Sequence, residues 1–171
     1  LRTRAASGDR SAEAPRGALL ANLGNLHSDC DRPDRALACW QAAAEVQRRV
    51  FEREPESWLA ARELAVSLSN LGGAWRRRGD VAAARGSHLE AVGLIDHVLV
   101  REPYRTEVQE ALGLMLHNLT TLELAAANPA AARGYAERAL AVRVEMCARN
   151  PRSGRDRQAL VDIWSNRFRL A

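Results

Sequence analysis

Four asparagines recur along the chain at a constant interval, and their carboxamides are the most regular set of chemically useful side chains in the sequence. They are Asn22, Asn70, Asn118 and Asn166, each 48 residues after the one before. A carboxamide can both donate and accept hydrogen bonds. Asparagine is also a poor helix former, so its recurrence within helices needs a reason. Two interpretations stay open: an amide ladder along a binding surface, or amides that bond neighbouring helices and fix their stacking.

Polar residues near these asparagines extend the candidate surface, and we expect them to add contacts to a bound partner. The arginines at 76–78 end a predicted helix, where the helix dipole favours cations. A site for phosphate or an acidic partner is the alternative interpretation of these arginines. His117 is interpreted as a surface-lining or packing residue rather than a catalytic one. The predicted partner-binding residues are Asn22, Asn25, Arg62, Ser69, Asn70, Arg76, His117, Asn118, Gln158 and Asn166.

One compact polar cluster has the residue types that bind metals, namely His27, Asp29, Cys30 and Asp31, with Cys39 further along. Its spacing matches no metal-binding motif, and the positions 48 residues further on do not repeat it. We therefore predict no metal and no cofactor. The sequence also contains no phosphate loop, nucleophile elbow or Gly-rich dinucleotide fingerprint. These observations predict that the chain is not an enzyme.

Composition narrows the partner class. The 25 basic residues are all arginine and are scattered among 21 acidic residues, for a net charge of +4. This mixture is typical of solvated helix faces and disfavours nucleic acid as a partner. Three cysteines without paired spacing indicate no disulfide framework, which favours the cytoplasm, and no apolar run is long enough to span a membrane. Arginine in place of lysine, together with abundant alanine, indicates a bacterial origin.

The elements that must position these residues follow the same period. Four further sets of landmarks share the interval of 48 residues without a gap, so we treat it as a structural repeat. They are Pro55, Pro103 and Pro151; Ala36, Ala84 and Ala132; Ala43, Ala91 and Ala139; and Arg53, Arg101 and Arg149.

Each period contains two helical patterns. Leu64, Leu68, Leu71 and Trp75 share one helix face, and a second apolar stripe runs from Val81 through Ala84, His88, Ala91 and Ile95 to Val98. Asp80 is predicted to cap a helix, Thr106 and Gln109 to form a capping box, and Asn128 to cap a helix that begins with Pro129.

The pattern predicts an all-α protein with helices over 15–29, 33–53, 57–78, 81–101, 106–126, 129–149 and 153–169. We expect a flexible N-terminal tail over 1–14, followed by one repeat domain over 15–171. Its units are predicted at about 15–55, 57–103 and 105–151, with a partial unit over 153–169. In a repeat array of this kind each hairpin packs only on its neighbours.

These landmarks resemble the tetratricopeptide repeat. Leu20, Leu23 and Gly24 match its first helix, and Ala36 and Ala43 match the small positions of its second helix. The next units match at Leu68, Leu71, Gly72, Ala84 and Ala91, and at Leu116, Leu119, Ala132 and Ala139, although Thr120 replaces the glycine. The long period is similar to the variants in kinesin light chains and in bacterial signalling proteins.

The resemblance implies a right-handed superhelix whose first helices line a concave groove that binds a protein or peptide. Members that clamp a terminal carboxylate carry basic residues one turn before the asparagines. Here those positions are Ala18, Val66, Leu114 and Asp162, so that clamp is not expected. We therefore predict a non-catalytic scaffold module within a larger regulatory protein. The alternatives are a self-assembly element that forms homo-oligomers through the terminal helix 153–169, and, less favoured, a nucleic-acid-binding helical repeat.

Overall fold

Six α-helices make up nearly all of residues 12–149, which are the part of the chain that the computed structural model describes. They are α1 Glu13–Asp29, α2 Pro33–Arg53, α3 Trp58–Arg77, α4 Val81–Arg101, α5 Thr106–Ala125 and α6 Pro129–Arg149. Successive helices pair as three hairpins, and the predicted all-α stack is confirmed within these residues. The predicted final helix, 153–169, lies outside them.

The helix starts confirm some of the predicted caps and overturn one. The side chains of Asp80 and Asn128 accept from the backbone N–H of Ala83 at 2.9 Å and of Ala131 at 3.4 Å. The predicted capping box of Thr106 and Gln109 is wrong. Thr106 is already the first helical residue, and the Gln109 carboxamide instead donates to the carbonyl of Pro103 at 2.9 Å.

The first helix also begins two residues before its predicted start at 15. Its first residue is Glu13, so Pro15 lies within the first turn. Proline is tolerated there because the backbone N–H groups of the first turn have no partner inside the helix.

The turn inside each hairpin has the same geometry in all three units. The residues with positive φ are Asp31 at 54°, Gly79 at 82° and Ala127 at 55°, again 48 residues apart. The residue after each one donates its backbone N–H to the carbonyl five positions earlier, which is the hydrogen bond of a Schellman motif. Glycine adopts this conformation without steric cost, whereas aspartate and alanine do so at a cost. The repeat is therefore preserved in backbone geometry even where its glycine is not.

The stack curves toward one set of helices. We call α1, α3 and α5 the inner helices and α2, α4 and α6 the outer helices. The backbones of adjacent inner helices approach one another closely, whereas those of the outer helices within residues 12–149 come that close only to inner helices. Because the inner helices approach each other more closely, the stack is concave on their side. The main core lies between the two layers and contains Leu64, Leu68, Ile95, Leu112 and Leu116.

The two helices of a hairpin cross where a glycine faces a large ring. A Cβ atom built on Gly24 would lie 2.6 Å from Cδ1 of Trp40, and one on Gly72 would lie 2.7 Å from Nε2 of His88. In the third unit Thr120 occupies the glycine position, and the repeat register places the small Ala136 at the ring position. Bulk on one helix is thus matched by a small residue on the other, which explains how the third unit accommodates its departure from the glycine.

Charged pairs join successive hairpins. On the outer layer Arg48 pairs with Glu90, and Arg138 pairs with Asp96. These pairs occupy the same two positions of the repeat with the charges exchanged, so the contact is preserved although its polarity is reversed.

A more buried contact joins α4 to α5. Arg85 donates from Nε and Nη2 to the two carboxylate oxygens of Glu123, at 2.5 and 3.0 Å. The Glu123 side chain is 1% exposed and also accepts from Asn128 at 3.0 Å. The hydrogen bond from Arg85 lowers the pKa of Glu123, with a smaller contribution from Asn128. This carboxylate therefore ties the third hairpin to the second in its ionised form.

Candidate functional site

A cleft of about 310 Å³ opens on the concave side, between the C-terminal halves of the three inner helices. Its position follows from the repeat, since equivalent segments of α1, α3 and α5 meet there side by side. Polar groups dominate the lining. Its carboxamides and hydroxyls belong to Asn25, Ser28, Ser69, Asn70, Asn118 and Thr121.

Hydrogen bonds link these carboxamides across the hairpins. Nδ2 of Asn70 donates to Oδ1 of Asn25 at 3.2 Å, and Nδ2 of Asn118 donates to Oγ of Ser69 at 2.9 Å. Oδ1 of Asn25 also accepts from Nε1 of Trp40 at 3.1 Å. Each of the two later asparagines thus bonds the preceding inner helix. Their own Oδ1 atoms make no hydrogen bond to another residue within 12–149.

Three charged side chains stand around the cleft, namely Asp29, Arg76 and Arg77. The Arg77 guanidinium lies 5.9 Å from the centre of the Trp40 ring, a cation–π distance. Neither Arg76 nor Arg77 forms an ion pair with any residue of the described part of the chain. By contrast, the adjacent Arg78 pairs with Asp34 and does not line this cleft. Two of the three consecutive arginines therefore leave their charge available to a ligand.

One wall of the cleft is formed by His88, which reaches in from α4 beside Gly72. The residue is 1% exposed, and its Nδ1 atom is buried with no hydrogen-bond partner in the described structure. Burial, and next to it the positive charge of Arg76, lower the pKa of His88 from 6.5 to about 4. The imidazole is consequently neutral at pH 7, and it borders the cleft with an unsatisfied polar atom.

Comparison with known proteins agrees with this geometry. Residues 17–56 and 64–99 match the family model of the tetratricopeptide repeat. Over these residues the chain consists of tetratricopeptide repeats. The two matched segments coincide with the first two hairpins, and the third hairpin continues the tetratricopeptide register through α5 and α6.

A solved structure shares the tetratricopeptide fold of this chain. It is the crystal structure of BtubC (BKLC) from P. vanneervenii, with a TM-score of 0.59 and 17% sequence identity. The similarity covers 90% of this chain and 62% of that chain, so it shows the fold and spans less than two thirds of the other protein's length. Among curated proteins, none matches the sequence.

The tetratricopeptide stack brings some of the predicted partner-binding residues together and separates others. Asn25, Ser69, Asn70, Arg76 and Asn118 all line the cleft.

The other predicted residues do not line it. Asn22 is exposed on α1, Arg62 lies near the opposite end of α3, and His117 is exposed beside Asn118. Gln158 and Asn166 lie outside the described residues. The predicted set therefore stays a proposal, and five of its ten members lie together at one end of the groove.

Sequence reasoning missed the contribution of the outer helices to this site. His88 belongs to the predicted apolar stripe of its helix and is buried, but it also borders the cleft, as does the buried Trp40 of α2. A signal was present in the repeat register: each ring lies opposite a glycine, and the gap left by Gly24 or Gly72 lets the ring approach the inner helix.

Two further classes of site find no support in this part of the chain. Within residues 12–149, no three side chains of His, Cys, Asp or Glu are grouped so that they could hold a metal ion. None of the helices described here is long and apolar enough to cross a bilayer.

Proposed function

We propose that this chain is a non-catalytic interaction module that binds an extended segment of a partner protein in the concave groove. In this proposal it serves a larger regulatory or signalling protein in a bacterial cytoplasm. Repeats of this family in general mediate contacts between proteins, which supports the class of function. The polar cleft on the inner helices supports the choice of the concave groove as the binding surface.

The hydrogen-bonding groups that remain unpaired in the cleft carry the proposal. Oδ1 of Asn70 and Oδ1 of Asn118 are acceptors without a partner in the described structure, because these asparagines use Nδ2 to bond the preceding helix. The hydroxyl of Ser69 accepts from Asn118 and keeps its own proton to donate. An extended peptide presents N–H and C=O groups along its length, and such a backbone satisfies both kinds of group.

Peptide selection tests this proposal. A random peptide library displayed on phage is selected on the immobilised chain, and the affinity of enriched peptides is measured by fluorescence polarisation. We expect the Asn70→Ala/Asn118→Ala double variant to bind about thirtyfold more weakly, since each of the two lost hydrogen bonds contributes about 1 kcal/mol. A library without enriched peptides, or unchanged affinity in the double variant, would contradict the proposal.

The Ser69→Ala background separates binding from stacking. Ser69→Ala removes the acceptor of the Asn118 hydrogen bond but leaves the Asn118 carboxamide in the groove. If Asn118 contacts the peptide, adding Asn118→Ala to Ser69→Ala weakens binding further, because the stacking hydrogen bond is already absent. No further loss would show that the asparagine acts only by fixing the stack.

Self-assembly is a second candidate because one face of α1 is apolar and uncovered. Leu19 and Leu26 are 69% and 57% exposed. The register-equivalent residues of α5, Met115 and Leu122, are buried. Light scattering across a hundredfold range of concentration tests this candidate: a constant monomer mass would exclude it. Leu19→Gln/Leu26→Gln is the variant expected to abolish any self-association.

A further inference from the structure

The lining of the cleft limits the peptide conformations that it can recognise. Among the described residues it contains carboxamides, hydroxyls, charged side chains, an indole, an imidazole and one glycine, but no aliphatic side chain. An amphipathic helix binds by placing its apolar face in an apolar groove, and this cleft is not one. An added strand needs the edge of a sheet, and residues 12–149 contain no strand. What the cleft offers instead is hydrogen-bonding groups for an extended backbone.

The free acceptors of the cleft recur once per hairpin. Oδ1 of Asn70 on α3 and Oδ1 of Asn118 on α5 have no hydrogen-bond partner within residues 12–149, because each asparagine uses Nδ2 to bond the preceding inner helix. The two asparagines are 48 residues apart and occupy the same position of successive hairpins. The distance between their acceptors therefore follows the distance between α3 and α5.

That distance matches one extended conformation better than the other. Packed helices lie about 8–10 Å apart, and Cα atoms of α3 and α5 come within 8 Å of each other where the two helices meet. Polyproline II rises about 3.1 Å per residue with about three residues per turn, so N–H groups on the same side recur every 9 Å or so.

A β-strand does not match this spacing. Its N–H groups alternate between two sides, so those on one side recur at about 6.7 Å, and the N–H groups of residues i and i+3 point in opposite directions. A strand can therefore donate to one of the two asparagines, whereas a polyproline II segment can donate to both.

We propose that the cleft binds a polyproline II segment of the partner and contacts its backbone at every third residue. One N–H donates to Oδ1 of Asn70, and the N–H three residues away donates to Oδ1 of Asn118. Neither donor residue is proline, which has no N–H. Proline fits the positions between them, since it fixes φ near the polyproline II value. This proposal rests on the peptide-binding function proposed above and names the conformation of the ligand.

A backbone scan of an enriched peptide tests the three-residue step. The tightest peptide from the phage selection is resynthesised with one amide at a time replaced by an ester, which removes a single N–H, and affinity is measured by fluorescence polarisation. We expect two sensitive positions, three residues apart, each weakening binding by about fivefold. Sensitive positions two residues apart would indicate a strand and overturn the proposal. The absence of a sensitive pair would overturn it as well.

Variants of the two asparagines assign each contact. Asn118→Ala should abolish the effect of the ester at one of the two positions and Asn70→Ala the effect at the other, because the acceptor is already missing. Ser69→Ala is the matched control, since it removes the stacking hydrogen bond of Asn118 and keeps Oδ1, so both ester effects should persist. Ester effects that survive unchanged in both asparagine variants would contradict the proposed contacts.

A proline scan of the same peptide separates polyproline II from a strand. Compared with alanine at the same place, proline between the two sensitive positions should keep or increase the affinity, because its φ of about −65° suits polyproline II and not a strand. A tenfold loss at both intervening positions would overturn the proposal. Each of these contrary results still leaves a peptide that binds the groove, whereas a selection without enriched peptides overturns both proposals, so the two failures are distinguishable.

Discussion

Gly72 provides the sharpest test of how the hairpins are held together. Replacing it with alanine places a Cβ atom 2.7 Å from the His88 ring, whereas nonbonded carbon atoms prefer about 3.5–4.0 Å. The ring or the helix must therefore move by about 1 Å, and overpacking of this kind typically costs about 1–3 kcal/mol. Working against that cost, alanine in a helix interior is favoured over glycine by about 1 kcal/mol.

The adjacent Gly73 separates these two contributions. Its Cβ position has only Arg77 Nη1 nearby, at 3.8 Å, so Gly73→Ala gains helix propensity without a clash. We expect Gly72→Ala to be about 1–3 kcal/mol less stable than Gly73→Ala in urea unfolding followed by circular dichroism. Equal stability of the two variants would refute the packing argument, because both share the same change in helix propensity.

The third unit supplies the compensating change. There Thr120 stands at the glycine position and Ala136 at the ring position. Gly72→Thr/His88→Ala copies that pair into the second unit. The double variant should be more stable than the sum of its single variants predicts, with a coupling of about 1 kcal/mol or more. Additive single effects would mean that the glycine and the ring do not share the same space.

Three other outcomes follow from buried or strained residues. The folded-state pKa of His88 is about 4, below its usual 6.5, so the unfolded chain takes up the proton first as the pH falls. The contribution of neutral His88 to the free energy of unfolding is therefore full above pH 6.5 and is lost by about pH 4, a decrease of at most about 3 kcal/mol. His88→Gln should remove this pH dependence from unfolding measured between those pH values. Glu123→Gln should lower the free energy of unfolding by about 1–3 kcal/mol at pH 7, because Arg85 loses its buried carboxylate partner, and an unchanged urea midpoint would contradict this role. Ala127→Gly should raise the melting temperature, since glycine relieves a positive φ that costs alanine about 1 kcal/mol, whereas Gly79→Ala should lower it.

Much of the fold was predictable because the repeat is encoded locally. Apolar stripes on α3 and α4, and helix-capping side chains at Asp80 and Asn128, specify where helices lie and where they begin. The failure at Thr106 and Gln109 has a physical cause. In a capping box the Gln109 carboxamide would accept from the backbone N–H of Thr106. The helix has already begun at Thr106, and the carboxamide instead donates to the Pro103 carbonyl and accepts from Arg149.

The site was only partly predictable, because it combines residues that are distant in the chain. Asn70 and Asn118 were marked by their period, but their partners Asn25 and Ser69 lie 45 and 49 residues away. Residue type alone also could not decide whether these asparagines bind a partner or fix the stacking of the helices. One carboxamide has two ends, and in this structure Nδ2 bonds the preceding helix while Oδ1 faces no protein partner within residues 12–149.

The interval of 48 residues, the two helices within it and the small residues where they cross were all determined by the sequence alone, because each depends on contacts between near neighbours in the chain. What only the tertiary structure decided is the environment of particular side chains. His88 belongs to an apolar stripe in sequence, and stacking of three hairpins turns it into a neutral, unpartnered imidazole at the edge of a cleft. Burial and neighbouring charge depend on helices from several units, and local patterns carry no record of them.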